Sequence, residues 1–506
     1  MSAVRTSLRF ICGDEDRELS GFDPALTILD WLRLDERRMG TKEGCAEGDC
    51  GACTVVVGRL TAGHVVYRAI DACINPLATL DGQRLLTVEH LKQGAALHPV
   101  QQAMVDRHGS QCGFCTPGIV MSLFALWAEN DAASEERIED ALAGNLCRCT
   151  GYQPIIAAGS DMFRLGTAAK AAWQAGQASM AQRLAALRDG RTLEIAKDGR
   201  SFVAPADLDS FAELYATHPD ATIVAGATDA GLWVTKEMRI LERVLHPGRI
   251  AALSGIEDRS DELTIGAMTS LTEAADALGA IHPQLRELLR RFGGEQVRNA
   301  GTVGGNIANG SPIGDLPPAL IALGATLRLR RGSERRELPL EAFFIAYKRQ
   351  DRRPGEFVEA VLVPKLAAGS LFHASKISKR FDEDISALCG AFLLSLDAGG
   401  RVAAARLAYG GMAGTPKRAA HAEKALIGEI WNEAAAERAG AALEQDFQPL
   451  DDWRASARYR MLCAKNLLRR FALESAEPEL ETRVAGRLAD IGLAAARGAA
   501  AVGRRI

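Results

Sequence analysis

The chain has 506 residues, which is too many for one hydrophobic core and predicts about three domains of roughly 150 residues. Its composition is globular, with 47% apolar and 25% charged residues, and a formal net charge of −4 argues against a nucleic-acid partner. No apolar run approaches the ~20 residues that span a bilayer, and the first residues lack a secretory signal, so we expect a cytoplasmic protein without a membrane partner.

Residues 1–81 are predicted to form a small sheet crossed by one helix. Alternating or β-branched runs indicate strands at 7–11, 54–57 and 64–70. Residues 24–33 have helical apolar spacing, with a proline in the first turn. The Gly- and Cys-rich segment 40–53 is expected to be irregular.

Residues 82–160 are predicted to be helical. Thr116 and Pro117 mark one helix start, and Ser134, followed by two glutamates, marks another. Gly144 is expected to end the second of these helices.

The rest of the chain divides by composition. Residues 161–195 are Ala-, Gly- and Gln-rich and predict a linker. Residues 196–366 mix short strands and helices around two Gly-rich segments, and residues 367–480 predict a final α+β unit with a strand near 391–396. The Ala- and Arg-rich tail that follows is expected to be partly mobile.

A first set of four cysteines has the C-x4-C-x2-C…C spacing of plant-type ferredoxins, which hold a 2Fe–2S cluster: Cys45, Cys50, Cys53 and Cys73. Three ligands from one tight loop need turns that glycines permit, and the N–H groups of the loop can point at the sulfurs. A four-cysteine zinc site is the alternative, but zinc knuckles usually present C-x2-C pairs, and this spacing fits them poorly.

A second set combines a C-x2-C pair with a later C-x-C pair: Cys112, Cys115, Cys147 and Cys149. Taken alone, this set suits zinc as well as iron, but two such sets in one chain favour clusters. The other three cysteines, Cys12, Cys389 and Cys463, are expected to be buried small hydrophobic residues.

Two Gly-rich segments, 223–231 and 299–315, are candidates for holding a dinucleotide. The chain has no Gly-x-Gly, so a Rossmann fingerprint is absent from the sequence. In both segments a backbone could approach a pyrophosphate, with Thr, Asn and Ser as donors. Taken alone, each is more simply explained as a structural turn.

Three motifs together resemble the molybdenum hydroxylase family: the first cysteine loop at 44–53, Gln111-Cys-Gly-Phe-Cys-Thr-Pro-Gly118 and Asn145-Leu-Cys-Arg-Cys-Thr-Gly-Tyr152. The resemblance implies a multidomain α+β fold in four parts. These are a ferredoxin-like β-grasp domain over 1–81, a four-helix-bundle iron–sulfur domain over 82–160, a vanillyl-alcohol-oxidase-type FAD domain over 196–366 and a C-terminal α+β flavoprotein domain over 367–480.

The resemblance also implies cofactors. It implies two 2Fe–2S clusters, with the cluster on the second set beside a molybdopterin that Gln111 hydrogen-bonds, and the cluster on the first set nearer the flavin. Two turns would hold the FAD pyrophosphate, one made of Ile223, Val224, Ala225, Gly226, Ala227, Thr228, Asp229 and Ala230, the other of Thr302, Gly305, Asn306, Asn309, Ser311 and Asp315.

Around the flavin ring, the resemblance matches Phe292 to a stacking aromatic residue, Val358 to a ring contact and Lys376 to a nearby cation. A surface lysine is the alternative for Lys376. Tyr347 matches a position on the NAD⁺ side, and residues 377–387 match a charged loop that influences the choice between NAD⁺ and O₂.

The resemblance implies a subunit of a xanthine-oxidising member of the family. A large molybdopterin-binding subunit would be its partner, in a heterotetramer with two of each chain. Electrons would pass from molybdenum through the clusters to FAD and NAD⁺, and no catalytic acid, base or nucleophile is expected in this chain. The alternatives are a relay for another molybdenum hydroxylase, acting on an aldehyde or another N-heterocycle, and a non-catalytic metal-stabilised scaffold.

Overall fold

The computed structural model of the chain describes residues 3–480 and 482, so the tail predicted to be mobile lies outside the described residues. Up to residue 252 the strands are β1 (Val4–Arg5), β2 (Leu8–Cys12), β3 (Glu15–Leu19), β4 (Thr54–Thr61), β5 (His64–Asp71), β6 (Arg84–Leu86), β7 (Thr192–Lys197), β8 (Arg200–Ala204), β9 (Thr222–Ile223) and β10 (Arg243–Leu245). The helices are α1 (Ile28–Asp30), α2 (Pro99–Asp106), α3 (Thr116–Glu129), α4 (Glu135–Leu142), α5 (Gln153–Leu165), α6 (Thr167–Ala186), α7 (Leu208–Thr217) and α8 (Ala230–Thr235).

From residue 253 the strands are β11 (Ile256–Asp258), β12 (Glu262–Gly266), β13 (Thr326–Arg331), β14 (Glu334–Pro339), β15 (Phe344–Ala346), β16 (Arg349–Gln350), β17 (Phe357–Pro364), β18 (Leu371–Ile377), β19 (Leu388–Leu396), β20 (Val402–Gly410) and β21 (Lys417–Arg418). The helices are α9 (Leu271–Ile281), α10 (Pro283–Arg290), α11 (Glu295–Ala300), α12 (Val303–Asn309), α13 (Leu316–Leu323), α14 (Leu340–Phe343), α15 (Ala420–Leu426), α16 (Glu433–Asp446) and α17 (Ala457–Ala476). Within the described residues, none of these helices combines the length and the apolar character needed to cross a membrane.

The chain folds into two compact units. The first unit contains the residues up to Ala252 together with Gly293–Thr302, and the second contains Leu253–Phe292 and the residues from Val303. The segment 196–366, predicted as one FAD-binding domain, is therefore divided between the two units.

A five-stranded sheet in the order β3-β2-β6-β4-β5 opens the first unit. β2 pairs with β6 in parallel, whereas the hairpin β4–β5 is antiparallel, and α1 supplies buried residues that pack on this sheet. Phe10 on β2 meets Trp31 edge to face, with ring centroids 5.3 Å apart. The irregular segment predicted at 40–53 contains no helix or strand.

The helices α2–α5 follow and bury a shared apolar core that includes Phe124 and Trp127. Prolines stand in the first turns of α2, α3 and α5, where their missing N–H is not needed. The side chain of Ser134 accepts a hydrogen bond from Arg137 N and caps α4, as the sequence predicts. α3 also packs on β4 and β5, so the sheet and the helices form one body.

The segment 161–195, predicted as a linker, is mostly helix, which its composition does not indicate. Its alanines give α6 little apolar periodicity, and only Met180 and Leu184 of this helix are buried. Trp173 of α6 packs against Tyr67 and Phe124, with ring centroids 4.7 and 5.3 Å apart. Polar contacts add to this packing, since Lys170 Nζ donates to the carbonyls of Ala128 and Asn130 at 2.9 Å, at the end of α3. A cation at the carboxyl end of a helix is favourable.

A second sheet of the first unit, in the order β1-β7-β8-β10-β9, joins the chain's beginning to residues after 190. Its apolar side shares a core with the first sheet, through Phe202 and Val244 among others. Arg5 on β1 forms ion pairs of 2.8 Å with Asp81 and Asp189, and Arg249 lies 3.2 Å from Asp81. A buried charge cluster thus ties the β-grasp sheet to the second sheet.

The second unit contains two larger antiparallel sheets, ordered β11-β12-β17-β13-β14 and β18-β19-β20-β21. One core spans both, with α9, α10, α12 and α13 contributing. A separate core lies between the second of these sheets and α15–α17. The unit is therefore α+β throughout, and the strand predicted near 391–396 is β19.

Candidate functional site

The first cysteine set lies at one end of the β4–β5 hairpin. Cys53 directly precedes β4, and Cys73 follows β5 by two residues. Because Thr54 and Asp71 pair across the hairpin, the two cysteines are brought together, with sulfurs 3.2 Å apart. Cys45 Sγ accepts the backbone N–H groups of Glu47, Asp49 and Cys50 at 3.4–3.5 Å. The loop therefore points N–H groups at a sulfur, as expected for a thiolate that binds iron.

The second cysteine set lies where helices begin and end. Cys112 and Cys115 precede α3, while Cys147 and Cys149 follow α4. The thiol of Cys112 interacts with that of Cys149, and Cys115 interacts with Cys147. Burial, together with the neighbouring Cys147 thiol, raises the pKa of Cys115 to about 12, whereas the Phe114 N–H lowers the pKa of Cys112.

These arrangements fit two-iron clusters. In the described part of the chain, no three His, Cys, Asp or Glu side chains surround a point that a single metal ion could occupy. The thiols of each set contact one another. In the first set Cys45 interacts with Cys50 and Cys73, and Cys53 lies 3.2 Å from Cys73; in the second set Cys115 interacts with Cys147, and Cys112 with Cys149. A 2Fe–2S cluster takes four thiolates, two on each iron, so four thiols brought together suit it.

The two cysteine loops are in direct contact. Leu146 N, next to Cys147, donates to Cys50 O at 3.0 Å, so one hydrogen bond joins a predicted ligand of one set to the neighbour of a predicted ligand of the other. The contact depends on Gly51, whose φ is +67° and at which a Cβ would lie 2.1 Å from Gly144 O. Lys42 Nζ adds a bond of 2.9 Å to Gly113 O, in the turn between Cys112 and Cys115.

The second set also faces outward. Cys112 and Cys149 are exposed, and so is Gln111. Two apolar side chains beside them, Phe114 and Leu146, are 47% and 42% exposed. This face therefore combines accessible thiols with apolar surface.

The first Gly-rich turn runs from Ile223 at the end of β9 to Ala230 at the start of α8, within the first unit. Val224 N donates to Leu245 O, and Val224 O accepts from His246 Nδ1 at 2.8 Å. At Gly226 a Cβ would lie 1.9 Å from Ala300 O, so only glycine allows this turn to pack on the end of α11. Thr235, at the end of α8, donates to Ala46 O in the first cysteine loop at 2.8 Å.

His246 gives this turn a pH dependence. Because a carbonyl can only accept, Nδ1 carries the proton, and burial lowers the pKa of His246 to about 4. The folded state binds the second proton less well than the unfolded chain, whose histidine pKa is about 6.5, so stability is complete above that pH and is lost as pH falls towards 4. By linkage, protonation of His246 alone lowers the free energy of unfolding by about 2 kcal/mol between pH 6.5 and pH 5.

We expect His246→Asn to flatten this acid loss, because an asparagine Nδ2 occupies the place of His Nδ1 and donates without titrating. The measurement is the urea unfolding midpoint from about pH 7.5 to about pH 5, with flavin release followed by fluorescence. His64→Asn, at an exposed position, is the control. A wild-type slope in H246N would contradict the role given to His246.

The second Gly-rich segment supplies α12 and the turn before α13. Asn306 Oδ1 is buried and has no hydrogen-bond partner among the described residues, which fits a group that accepts from a bound cofactor. Asn309 is exposed and Ser311 half-buried, so both are accessible. These observations fit the FAD contacts expected of this segment, and the individual contacts stay predictions.

Asp315 and Lys376 form a buried ion pair of 2.9 Å, with side chains 4% and 2% exposed. Lys376 is therefore not a surface lysine. Its ammonium also donates to Arg291 O at 3.0 Å and Asp384 O at 2.9 Å, and Ser386 Oγ donates to Asp315 Oδ1 at 2.6 Å. Three acceptors use the three protons of the ammonium, which the sequence does not foresee.

The other residues matched to the flavin ring differ in accessibility. Val358 lies on β17 and is buried in the core of the second unit, against which Phe292 packs. Tyr347 is 60% exposed. In the charged loop, Phe381 stacks under the Arg291 guanidinium at 4.6 Å, and Arg291 Nε donates to Phe381 O at 3.1 Å. Among the remaining cysteines, Cys12 and Cys389 are buried as expected, but Cys463 is only partly buried.

Comparison with known families defines the class of protein. Three family models match: a 2Fe-2S binding domain over 87–160, the FAD binding domain in molybdopterin dehydrogenase over 196–366, and the CO dehydrogenase flavoprotein C-terminal domain over 373–475. An iron–sulfur domain followed by two flavoprotein domains defines an iron–sulfur flavoprotein of the oxidoreductase class.

Curated relatives narrow this class. Xanthine dehydrogenase of Emericella nidulans is 32% identical over 498 residues, covering 87% of this chain and 36% of the relative. Aldehyde oxidase 2 of Macaca fascicularis is 32% identical over 469 residues, covering 81% of this chain and 35% of the relative. The chain thus spans about a third of the length of these relatives.

Two solved structures support the same family assignment. Carbon monoxide dehydrogenase from Hydrogenophaga pseudoflava matches with a TM-score of 0.51 at 29% identity, over 54% of this chain and 96% of that chain. Quinoline 2-oxidoreductase from Pseudomonas putida 86 matches with a TM-score of 0.50 at 25% identity, over 54% of this chain and 95% of that one. The chain belongs to the molybdenum hydroxylase family, and the fold predicted from its motifs is confirmed.

Proposed function

We propose that the chain is the iron–sulfur and FAD subunit of a xanthine dehydrogenase. In this proposal it carries electrons from a molybdopterin site on a partner chain, through two 2Fe–2S clusters and FAD, to NAD⁺, while hypoxanthine and xanthine are oxidised to urate. The observation that carries the proposal is the pair of cysteine sets, whose loops are joined by the bond from Leu146 N to Cys50 O. The similarity to xanthine dehydrogenases supports the choice of substrate.

Iron–sulfur clusters supply one-electron steps when bound, and FAD supplies the exchange between one- and two-electron chemistry. The residues of the chain would hold these cofactors in place. The eight cysteines of the two sets would hold the iron, and backbone N–H groups in the first loop would stabilise the charge on Cys45. The Gly-rich turns would hold the FAD pyrophosphate, with Asn306 Oδ1 free to accept a hydrogen bond.

The proposed partner is a large molybdopterin-binding subunit, in an assembly with two of each chain. The exposed face formed by Cys112, Cys149, Phe114 and Leu146 supports this partner, because apolar surface around accessible ligands is typical of a docking site. Gln111 lies on the same face and would contact the pterin. We place the assembly in the cytoplasm, where thiols stay reduced for iron loading.

A second candidate is the same relay for a molybdenum hydroxylase that oxidises an aldehyde or another N-heterocycle. The similarity to aldehyde oxidase 2, equal in identity to that of the first relative, favours it. The two candidates differ only in the substrate of the partner.

The experiment that tests the proposal uses the complex purified from its native host and kept anaerobic. Xanthine is added while the flavin and iron–sulfur absorbance is followed, and NAD⁺ is added next. We expect xanthine to bleach the spectrum and NAD⁺ to restore it with formation of NADH. Bleaching by NADH but not by xanthine would leave the relay and refute the xanthine assignment, and a colourless protein would refute both.

A further inference from the structure

Four buried polar side chains form a cluster behind the contact between the two cysteine loops, and none of them is a predicted ligand. Each is at most 2% exposed. We call this cluster the polar hub; its members are Thr54, Ser122, Asn145 and Gln296. It lies entirely within the first compact unit.

Asn145 connects the elements that carry the two cysteine sets. Its Nδ2 donates to Gly51 O and to Thr54 Oγ1, both at 3.1 Å, on either side of Cys53. Its Oδ1 accepts from Ser122 Oγ at 2.6 Å, and Ser122 lies on α3, the helix that follows Cys115. Asn145 itself stands two residues before Cys147, so one amide holds the first loop, α3 and the second loop together.

Gln296 adds a connection from α11. Its Nε2 donates to Asn145 Oδ1 at 2.9 Å and to Ser122 Oγ at 3.0 Å, and lies 3.3 Å from Thr54 Oγ1. The neighbours of Gln296 fix the helix, because Glu295 accepts two bonds from Arg137 and Asn299 Nδ2 donates to Ala69 O. Two residues after α11 the chain reaches Thr302, the start of the second set of predicted FAD contacts.

Stability alone is a poor explanation of the polar hub. Net hydrogen-bond contributions are small, and an apolar cluster of the same shape serves stability as well. Moreover, Gln296 Oε1 is buried without a partner among the described residues, which is a cost. A polar network that is kept despite such a cost is better suited to fixing one geometry.

We propose that Asn145 and Gln296 are positioning residues, which hold the two cysteine loops at the separation that electron passage between the two clusters requires. The inference rests on the proposed relay. The step moves one electron from the iron held by the Cys112 set to the iron held by the Cys45 set, and no bond or proton changes. The shortest described connection between the loops, Leu146 N to Cys50 O, lies beside the hub.

The test compares Asn145→Leu and Gln296→Met with the wild-type complex, purified anaerobically. Both substitutions keep approximate volume and remove the donors. The remaining hub groups keep other partners, since Thr54 Oγ1 still donates to Gly51 O at 2.7 Å. Glu295→Gln is the matched control, because it removes the charge of this residue while the remaining side-chain oxygen still accepts from Arg137, so that α11 stays fixed and Gln296 stays in place.

Three quantities are measured: iron per chain, the magnetic splitting between the two reduced clusters in electron paramagnetic resonance, and the rate of electron exchange between them in stopped flow. We expect wild-type iron content in both variants, a weaker splitting, and a rate about tenfold lower in N145L, the size of effect typical of outer-shell partners of metal ligands. Q296M should show a smaller change in the same direction, and E295Q none.

The outcomes are separable. A wild-type complex with a single cluster signal would refute the proposed relay. With two signals in the wild type, unchanged splitting and rate in both variants would overturn the roles of Asn145 and Gln296 alone. If N145L loses iron, the splitting and the rate measured in Q296M decide whether the hub has a positioning role. Loss of iron from both variants would show that the hub is needed for the cysteine loops to fold, and would overturn the proposal.

Discussion

Gly51→Ala is expected to destabilise the first unit by about 2–5 kcal/mol and to lower its iron content. Two costs add. The first is the left-handed backbone, with φ of +67°, and the second is steric, because the new Cβ would lie 2.1 Å from Gly144 O and 2.5 Å from Asn145 Nδ2. Backbone cannot yield as a flexible side chain can, so the two cysteine loops must separate. The measurement is the urea unfolding midpoint together with iron and visible absorbance per chain.

Gly63→Ala separates the two costs. Gly63 also has a positive φ, of +83°, but nothing lies within 4 Å of a Cβ built there. We expect this control to lose only about 1–2 kcal/mol, the cost of the backbone conformation, and to keep its iron. Equal destabilisation in the two variants, with unchanged absorbance, would show that the close approach of the loops is unimportant.

Local sequence signals predict most of the first 160 residues, although the helix predicted over 24–33 begins only at Ile28, after the N-cap Thr27, so that Pro24 lies outside its first turn. The strands at 7–11, 54–57 and 64–70 and the helix starts at Thr116 and Ser134 are confirmed, because alternation, caps and prolines act over a few residues. The helix α6 is missed, since its alanines leave no apolar stripe and the contacts of its Trp173 and Lys170 are with residues distant in sequence. Pattern reasoning does not detect such support.

Long-range placement explains what else the sequence could not show. β1 joins a sheet whose other strands lie after residue 190, and the Gly-rich segments divide between two units. The cysteine spacing predicts which residues come together, whereas Gln296 has no motif that marks it as a neighbour of Thr54 and Asn145. His246 is likewise marked only by its contact with Val224. The contacts of both residues are with side chains or carbonyls distant in sequence, so only the structure reveals them.

Lys376→Met is expected to destabilise the second unit by about 3–5 kcal/mol and to release FAD, because it leaves the Asp315 carboxylate buried without its cation. Lys365→Met is the matched control. Its ion pair with Asp258 is exposed, with side chains 32% and 67% accessible, and such pairs contribute about 0–1 kcal/mol. The measurement is the urea midpoint and the FAD content of each variant.

The double variant Lys376→Met with Asp315→Asn distinguishes two roles for the lysine. If Lys376 only holds Asp315, Arg291 O and Asp384 O, removing both charges should restore the part of the stability that the unpaired carboxylate costs, since the new asparagine amide still accepts from Ser386, while the two carbonyls stay without their donor. The reduction potential of the FAD that remains should then stay near the wild-type value. If Lys376 instead stabilises an anionic reduced flavin, the potential should fall while stability recovers. The paired ammonium favours the first result, because Asp315 balances its charge and its three protons already have acceptors.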